Sequence, residues 1–218
     1  MKMRLAAALI LLTAVSLSAS SYYSSRLDDP KAVYLTRENF PVHGDGILDD
    51  TEALQQAINK VQETTNQGIL FIPSGRYRLS NTIYIWPGIR LIGFGETRPV
   101  FLLGENTPGF QQGPAYMIFF AGFRPGSVPN TAGTAGRRFP PAGAKPPDAN
   151  PGTFYSAMSN IDIEIRQGNP GAVGVRARHA QHCFLAHMNF RINSKLTKIH
   201  DSGNIAEDVH FYDRQYDI

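Results

Sequence analysis

Asp162 and Glu164 stand two residues apart in the stretch Asn160-Ile161-Asp162-Ile163-Glu164-Ile165. On a β-strand that spacing turns both carboxyls to one face, roughly 6.5 to 7 Å apart at the backbone. Two carboxyls about 5 to 9.5 Å apart can flank a glycosidic bond, one as acid and the other as nucleophile or base. The sequence also supplies the groups that would disarm such a pair. Laying His187-Met188-Asn189-Phe190-Arg191-Ile192 and Asp208-Val209-His210-Phe211-Tyr212 over the first stretch sets Arg191 beside Glu164, with Asp162, Asn189 and His210 in the next column. A Glu164–Arg191 pair on an exposed face contributes about 0 to 1 kcal/mol and ties up the carboxylate. Asp162, Glu164, Arg191 and His210 are therefore read as binding residues, and none as catalytic.

Other chemistry-bearing residues have structural explanations. His179, His182, Cys183 and His187 are of types that suit zinc, but strand alternation through Cys183–Ala186 separates the histidines, so no metal site is assigned. Asp45, Asp49 and Asp50 lack the order of a calcium loop and fit turns and a helix start. Gly93 and Gly95 have Arg98 where a dinucleotide loop needs a third glycine. Aromatic faces stack on sugar rings, which makes Trp86, Tyr84, Tyr155 and Tyr212 candidates, Trp86 foremost.

The elements that position these residues are mostly short strands. Ile69–Ile72, Thr82–Ile85, Ile89–Ile92, Val100–Leu103 and Met117–Ala121 are β-branched or aromatic runs punctuated by Gly, Pro and Asn. The three later segments recur at offsets of 27 and 21 residues, within the range of stacked repeats. Stacking places Ile161, Met188 and Val209 in one interior column and Ile163, Phe190 and Phe211 in the next. Residues 122–152 are rich in glycine and proline without an apolar period, and read as a loop that is either a lid or an insertion.

One helix is expected, from Asp49 or Asp50 to Val61, with Leu54, Ala57, Ile58 and Val61 on its apolar face and Asp49 and Glu52 as a capping box. Its place ahead of the strands suits a cap over the open first coil. The chain end at Tyr216-Asp217-Ile218 has no comparable polar cap, so a truncated solenoid is expected.

Met1–Ser20 reads as a secretory signal: Lys2 and Arg4 precede the apolar run Leu5–Leu17, which ends among small residues. That run is too short to span a bilayer core about 30 Å thick, so no membrane association is expected after cleavage. Removing the two signal charges takes the net charge from +3 to +1. The remaining cations are scattered, which argues against nucleic acid as a partner. Cys183, the single cysteine, excludes an intramolecular disulfide and reads as a small buried hydrophobe.

The stretch Gly44–Ile58, followed by Ile69–Tyr77 and Leu91–Gly95, resembles the opening motifs of the pectate-lyase-like β-helix superfamily over roughly residues 40–103. Phe154-Tyr155, Ile161–Ile163, Ala172–Val175 and Ala180-Gln181 resemble the first β-helix of family-55 glycoside hydrolases, exo-acting β-1,3-glucanases. The resemblance implies an all-β, right-handed parallel β-helix of the pectin-lyase type over residues 33–218, with an N-terminal capping helix. It implies a polysaccharide partner and no cofactor, in a secreted or periplasmic protein. That family's catalytic acid lies in a second β-helix, beyond these residues. A non-catalytic glycan-binding β-helix and a pectate-lyase or epimerase relative are the alternatives, the lyase lacking an evident acidic cluster for calcium.

Overall fold

The computed structural model describes residues 20–127, 140–192 and 205–212, with the backbone alone at 205, 206, 211 and 212. The proposed signal, Met1–Ser20, therefore falls almost wholly outside the described residues, as do the side chains of Phe211 and Tyr212.

Among the described residues, thirteen strands and one helix make three flat faces around a common core. The first coil consists of β3 (Gly68–Pro73), β4 (Arg76–Leu79) and β5 (Ile83–Ile85). The second is β6 (Ile89–Phe94), β7 (Val100–Leu103) and β8 (Ala115–Phe120), and the third β9 (Ala157–Ser159), β10 (Asp162–Ile165) and β11 (Ala172–Arg176). The long β12 (Phe184–Ile192) bends to serve two faces, and β13 (Ile205–Tyr212) stacks on it. All pairings between these strands are parallel, so the fold is a parallel β-helix.

β3, β6, β9 and the start of β12 form the first face; β4, β7, β10 and the end of β12 form the second; β5, β8 and β11 form the third. The registers Ile163↔Phe190 and Met188↔Val209 keep the expected offsets of 27 and 21 residues. Ile161, Ile163 and Met188 are fully buried. Each such side chain stabilises by about 1.5 to 3 kcal/mol on leaving water. Arg76–Leu79 was not anticipated as a strand, because four residues with two arginines carry little apolar signal.

The N-terminal end is closed by β1 (Val33–Tyr34) on β3, β2 (Asp45–Asp49) on β4, and α1 (Thr51–Thr65), which buries Ala53, Leu54, Ala57, Ile58 and Val61. The helix runs a turn beyond Val61, and the expected Asp49/Glu52 capping box does not form. Asp49 accepts from the Thr51 amide at 2.9 Å and from the Ser80 hydroxyl, while Glu52 accepts from Gln56 at 2.9 Å. The N-cap residue, Asp50, turns inward and accepts the His43 and Gly44 amides at 2.6 and 2.9 Å, pinning the preceding loop.

Two columns of left-handed residues turn the coils. Between the first and second faces stand Asn160, His187 and Asp208, with φ of 57°, 54° and 49°. Asn, Asp and His tolerate this region better than other non-glycine residues. Asn160 is fully buried, donating to Gly93 O at 2.8 Å and to Ser21 Oγ at 2.7 Å while accepting from the Tyr22 amide at 2.8 Å. A Cβ on Gly93 would meet Asn160 O at 2.0 Å, so only glycine fits there. The second column precedes the first face: the register Arg90↔Ala157↔Phe184 aligns Gly88, Tyr155 and His182, with φ of 76°, 62° and 61°.

The described limbs of the Gly/Pro-rich loop run alongside one another, joined by an Ala121–Asp148 bridge and by Gly126 N donating to Pro140 O at 3.0 Å.

Candidate functional site

The outward residues of the second face carry most of the candidate chemistry. One column runs Arg76, Val100, Asp162, Asn189, His210 and the next Arg78, Leu102, Glu164, Arg191. Glu164 and Arg191 are in register as expected, but their side chains do not pair. Arg191 instead reaches Asp162 at 3.1 Å, while Glu164 accepts from Arg76 at 2.6 Å and from Arg166 at 3.0 Å. Long side chains bridge diagonally here, and a column alignment cannot anticipate that.

Asp162 is not a solvated outer-face carboxylate. Its side chain is 1% exposed, and it accepts from the Asn189 amide at 2.9 Å and Asn189 Nδ2 at 3.3 Å, with Arg98 at 3.5 Å. Burial raises the Glu164 pKa, but the hydrogen bonds from Arg76 and Arg166 outweigh it and hold the carboxyl below its ordinary 4.5. A general acid needs the opposite shift. Glu164, two residues from Asp162 on β10, therefore lacks the electrostatics of a general acid.

Sequence reasoning missed the rest of the cluster. Asp208 accepts from His187 at 2.9 Å and His210 at 2.8 Å, and these bonds hold its carboxyl below the ordinary range. Arg98, only 10% exposed, lies between Asp162 and Asp208, 3.4 Å from the latter. The Tyr22 ring stacks on His187 at 4.0 Å. His187 and Asp208 meet because both occupy the left-handed corner, a conformation with no apolar periodicity to reveal it. Asp162, Glu164, Arg191 and His210 thus share one face.

Trp86 does not join them. It is 5% exposed, stacks on Tyr84 at 5.8 Å and donates from Nε1 to Asn59 Oδ1 on α1 at 2.7 Å. It serves as packing between the capping helix and the coils. The third face instead presents Tyr116, with Arg176 5.6 Å above its ring and 2.7 Å from Asp148 of the long loop.

The histidines near Cys183 disperse. His179 is buried edge-on to Phe120, His182 stacks on Tyr155, and His187 turns to Asp208. Cys183 is buried, donating to Thr153 O at 3.4 Å. Among the described residues, no three His, Cys, Asp or Glu side chains are grouped to hold a metal ion, and no helix is long and apolar enough to cross a membrane.

The family model described as rhamnogalacturonase A/epimerase, pectate lyase-like matches residues 38–218. The chain belongs to this family. Within the pectate lyase-like frame, a glucan 1,3-beta-glucosidase of Cochliobolus carbonum is 37% identical over 75 residues, covering 34% of this chain and 9% of the fungal protein. PfbA, a surface adhesin of Streptococcus pneumoniae, superposes with a TM-score of 0.51 at 15% identity, over 83% of this chain and 38% of the adhesin. The mannuronan C-5 epimerase AlgE4 A-module of Azotobacter vinelandii gives 0.44 at 14% identity, over 83% and 50%. This member of the family therefore spans half or less of each of these proteins, and the PfbA superposition bears on its fold alone.

Proposed function

We propose that this chain is the glycan-binding wall of a secreted, polysaccharide-degrading β-helix protein of the β-1,3-glucanase type, whose catalytic acid lies outside these 218 residues. The observation that carries the reading is the state of Asp162 and Glu164. Both are held by arginines, which leaves the second face suited to hydrogen-bonding sugar hydroxyls rather than to protonating a leaving group. Arg191, 33% exposed, and His210, 54% exposed, offer donors at the rim of that network. Membership of the pectate lyase-like family and the segment shared with a glucan 1,3-beta-glucosidase support polysaccharide as the partner. Export is supported by Lys2 and Arg4 ahead of the apolar run Leu5–Leu17.

The test is to incubate the purified chain with laminarin, a β-1,3-glucan. The expected result is retention on the glucan without release of reducing ends, and weaker retention of Arg191→Gln. Turnover by the chain alone overturns the placement of the acid; absence of retention overturns the glucan. N-terminal sequencing of exported protein is expected to begin at Ser21. The same saturated carboxylates favour a second reading, a non-catalytic glycan-binding β-helix, which laminarin retention without any hydrolytic partner module in the mature protein would support.

A further inference from the structure

A second cluster lies on the first face, at the left-handed column that turns the chain into it. Tyr155 is 42% and Phe154 36% exposed, the two rings 6.2 Å apart. Arg90 sits over the Tyr155 ring at 5.9 Å and donates from Nε to Tyr155 O at 3.2 Å. His182 stacks on Tyr155 at 5.4 Å with 14° between the planes.

Three features set this cluster apart from ordinary surface. Tyr155 holds φ of 62° and His182 of 61°, in a region that costs a tyrosine steric strain; the same column position one coil earlier is Gly88. Backbone strain of this kind concentrates at functional sites. Nε is the only Arg90 nitrogen with a hydrogen-bond partner among the described residues, so the terminal fork is open. The Tyr155 hydroxyl likewise has no hydrogen-bond partner among the described residues.

We propose that Arg90, Phe154, Tyr155 and His182 form a binding site for a carboxylated sugar residue of an acidic polysaccharide. The apolar C–H side of the pyranose packs on the exposed Phe154 ring, and the carboxylate takes the Arg90 fork, whose planar geometry matches it. The Tyr155 hydroxyl donates to a ring substituent. A neutral glucan satisfies the aromatic part and leaves the guanidinium without a counter-charge. The identification of a saccharide rests on the function proposed above; the location and charge preference rest on this cluster alone.

Titration calorimetry of the chain with a galacturonate tetramer, beside a neutral β-1,3-glucan tetramer, tests the site. Arg90→Gln and Phe154→Ala are each expected to weaken the acidic tetramer at least tenfold, Arg90→Lys to weaken it less than Arg90→Gln, and Lys60→Gln, the same charge loss on the exposed side of α1, to leave it unchanged. Phe154 has no hydrogen-bonding role, so its variant stays informative if Arg90→Gln unfolds. Failure of the acidic tetramer to bind overturns the site, as does binding indifferent to both Arg90 and Phe154. Equal dependence of the neutral tetramer on Arg90 overturns the charge preference. If neither tetramer binds and laminarin is not retained, the saccharide reading itself fails.

Discussion

Arg76 and Glu164 are 88 residues apart in the chain, yet Nη2 and Oε2 meet at 2.6 Å. The bond passes over the second coil, where Val100 and Leu102, alternating with the core residues Phe101 and Leu103, are buried on the outer surface. The charged network therefore shields apolar residues as well as balancing charge. Glu164→Gln is expected to lower stability at neutral pH, measured by urea unfolding.

The pH dependence of the same group has a definite sign. The folded-state pKa of Glu164 is depressed below 4.5, so its contribution is fully present above that value and is lost as pH falls through the lower folded pKa. Wild-type stability is expected to drop more steeply with acid below about pH 4.5 than that of Glu164→Gln. Parallel slopes in denaturation series would contradict the assignment.

Asp162 is the more buried partner of its pairs. Asp162→Ala removes one of the two carboxylates beside Arg98, which is 10% exposed, together with the acceptor of the Arg191 and Asn189 hydrogen bonds, and is expected to cost about 3 kcal/mol. Asp162→Asn, which keeps an acceptor for the Asn189 amide, is expected to cost less. Chemical denaturation of both variants measures the difference.

Corner geometry can be tested at two positions. Asn160→Ala loses three side-chain hydrogen bonds, the one to Gly93 O buried, and a residue tolerant of positive φ, for about 2 to 4 kcal/mol. Asn160→Gly restores the backbone freedom and isolates the side-chain share. Gly93→Ala, whose Cβ would collide with Asn160 O, is expected to cost about 3 kcal/mol or more, or to abolish folding.

Trp86, the single tryptophan, reports on the capping helix rather than on ligand. Its fluorescence is expected to shift to longer wavelength on unfolding and to stay unchanged when saccharide is added. Asn59→Ala, which removes the indole's acceptor, is expected to cost about 1 kcal/mol by thermal melting.

The interior was legible because burial repeats: Ile163 and Phe190 could be aligned from alternation alone, and the amphipathic period of α1 named four of its five buried residues, all but Ala53. Short polar strands were not legible, since Arg76–Leu79 owes its place to β7 rather than to its own composition. The site was half legible. Residues on a strand face could be listed, but Arg98, His187 and Asp208 lie at corners where backbone conformation decides direction. Trp86 packs at the helix–sheet seam, to which an aromatic suited to sugar stacking is equally suited.

The segment from Ser21 to Tyr23 lies against residues far downstream: Ser21 N donates to Glu96 O at 3.4 Å, Tyr22 bonds to Asn160, and its ring rests on His187. As a ribosome delivers the chain from its N-terminus, the coils can stack in the order they emerge. The first described residues are the exception. Their docking surface is unfinished until residue 187 has been made, so they are synthesised ahead of the coils they lie against and are among the last to find their place.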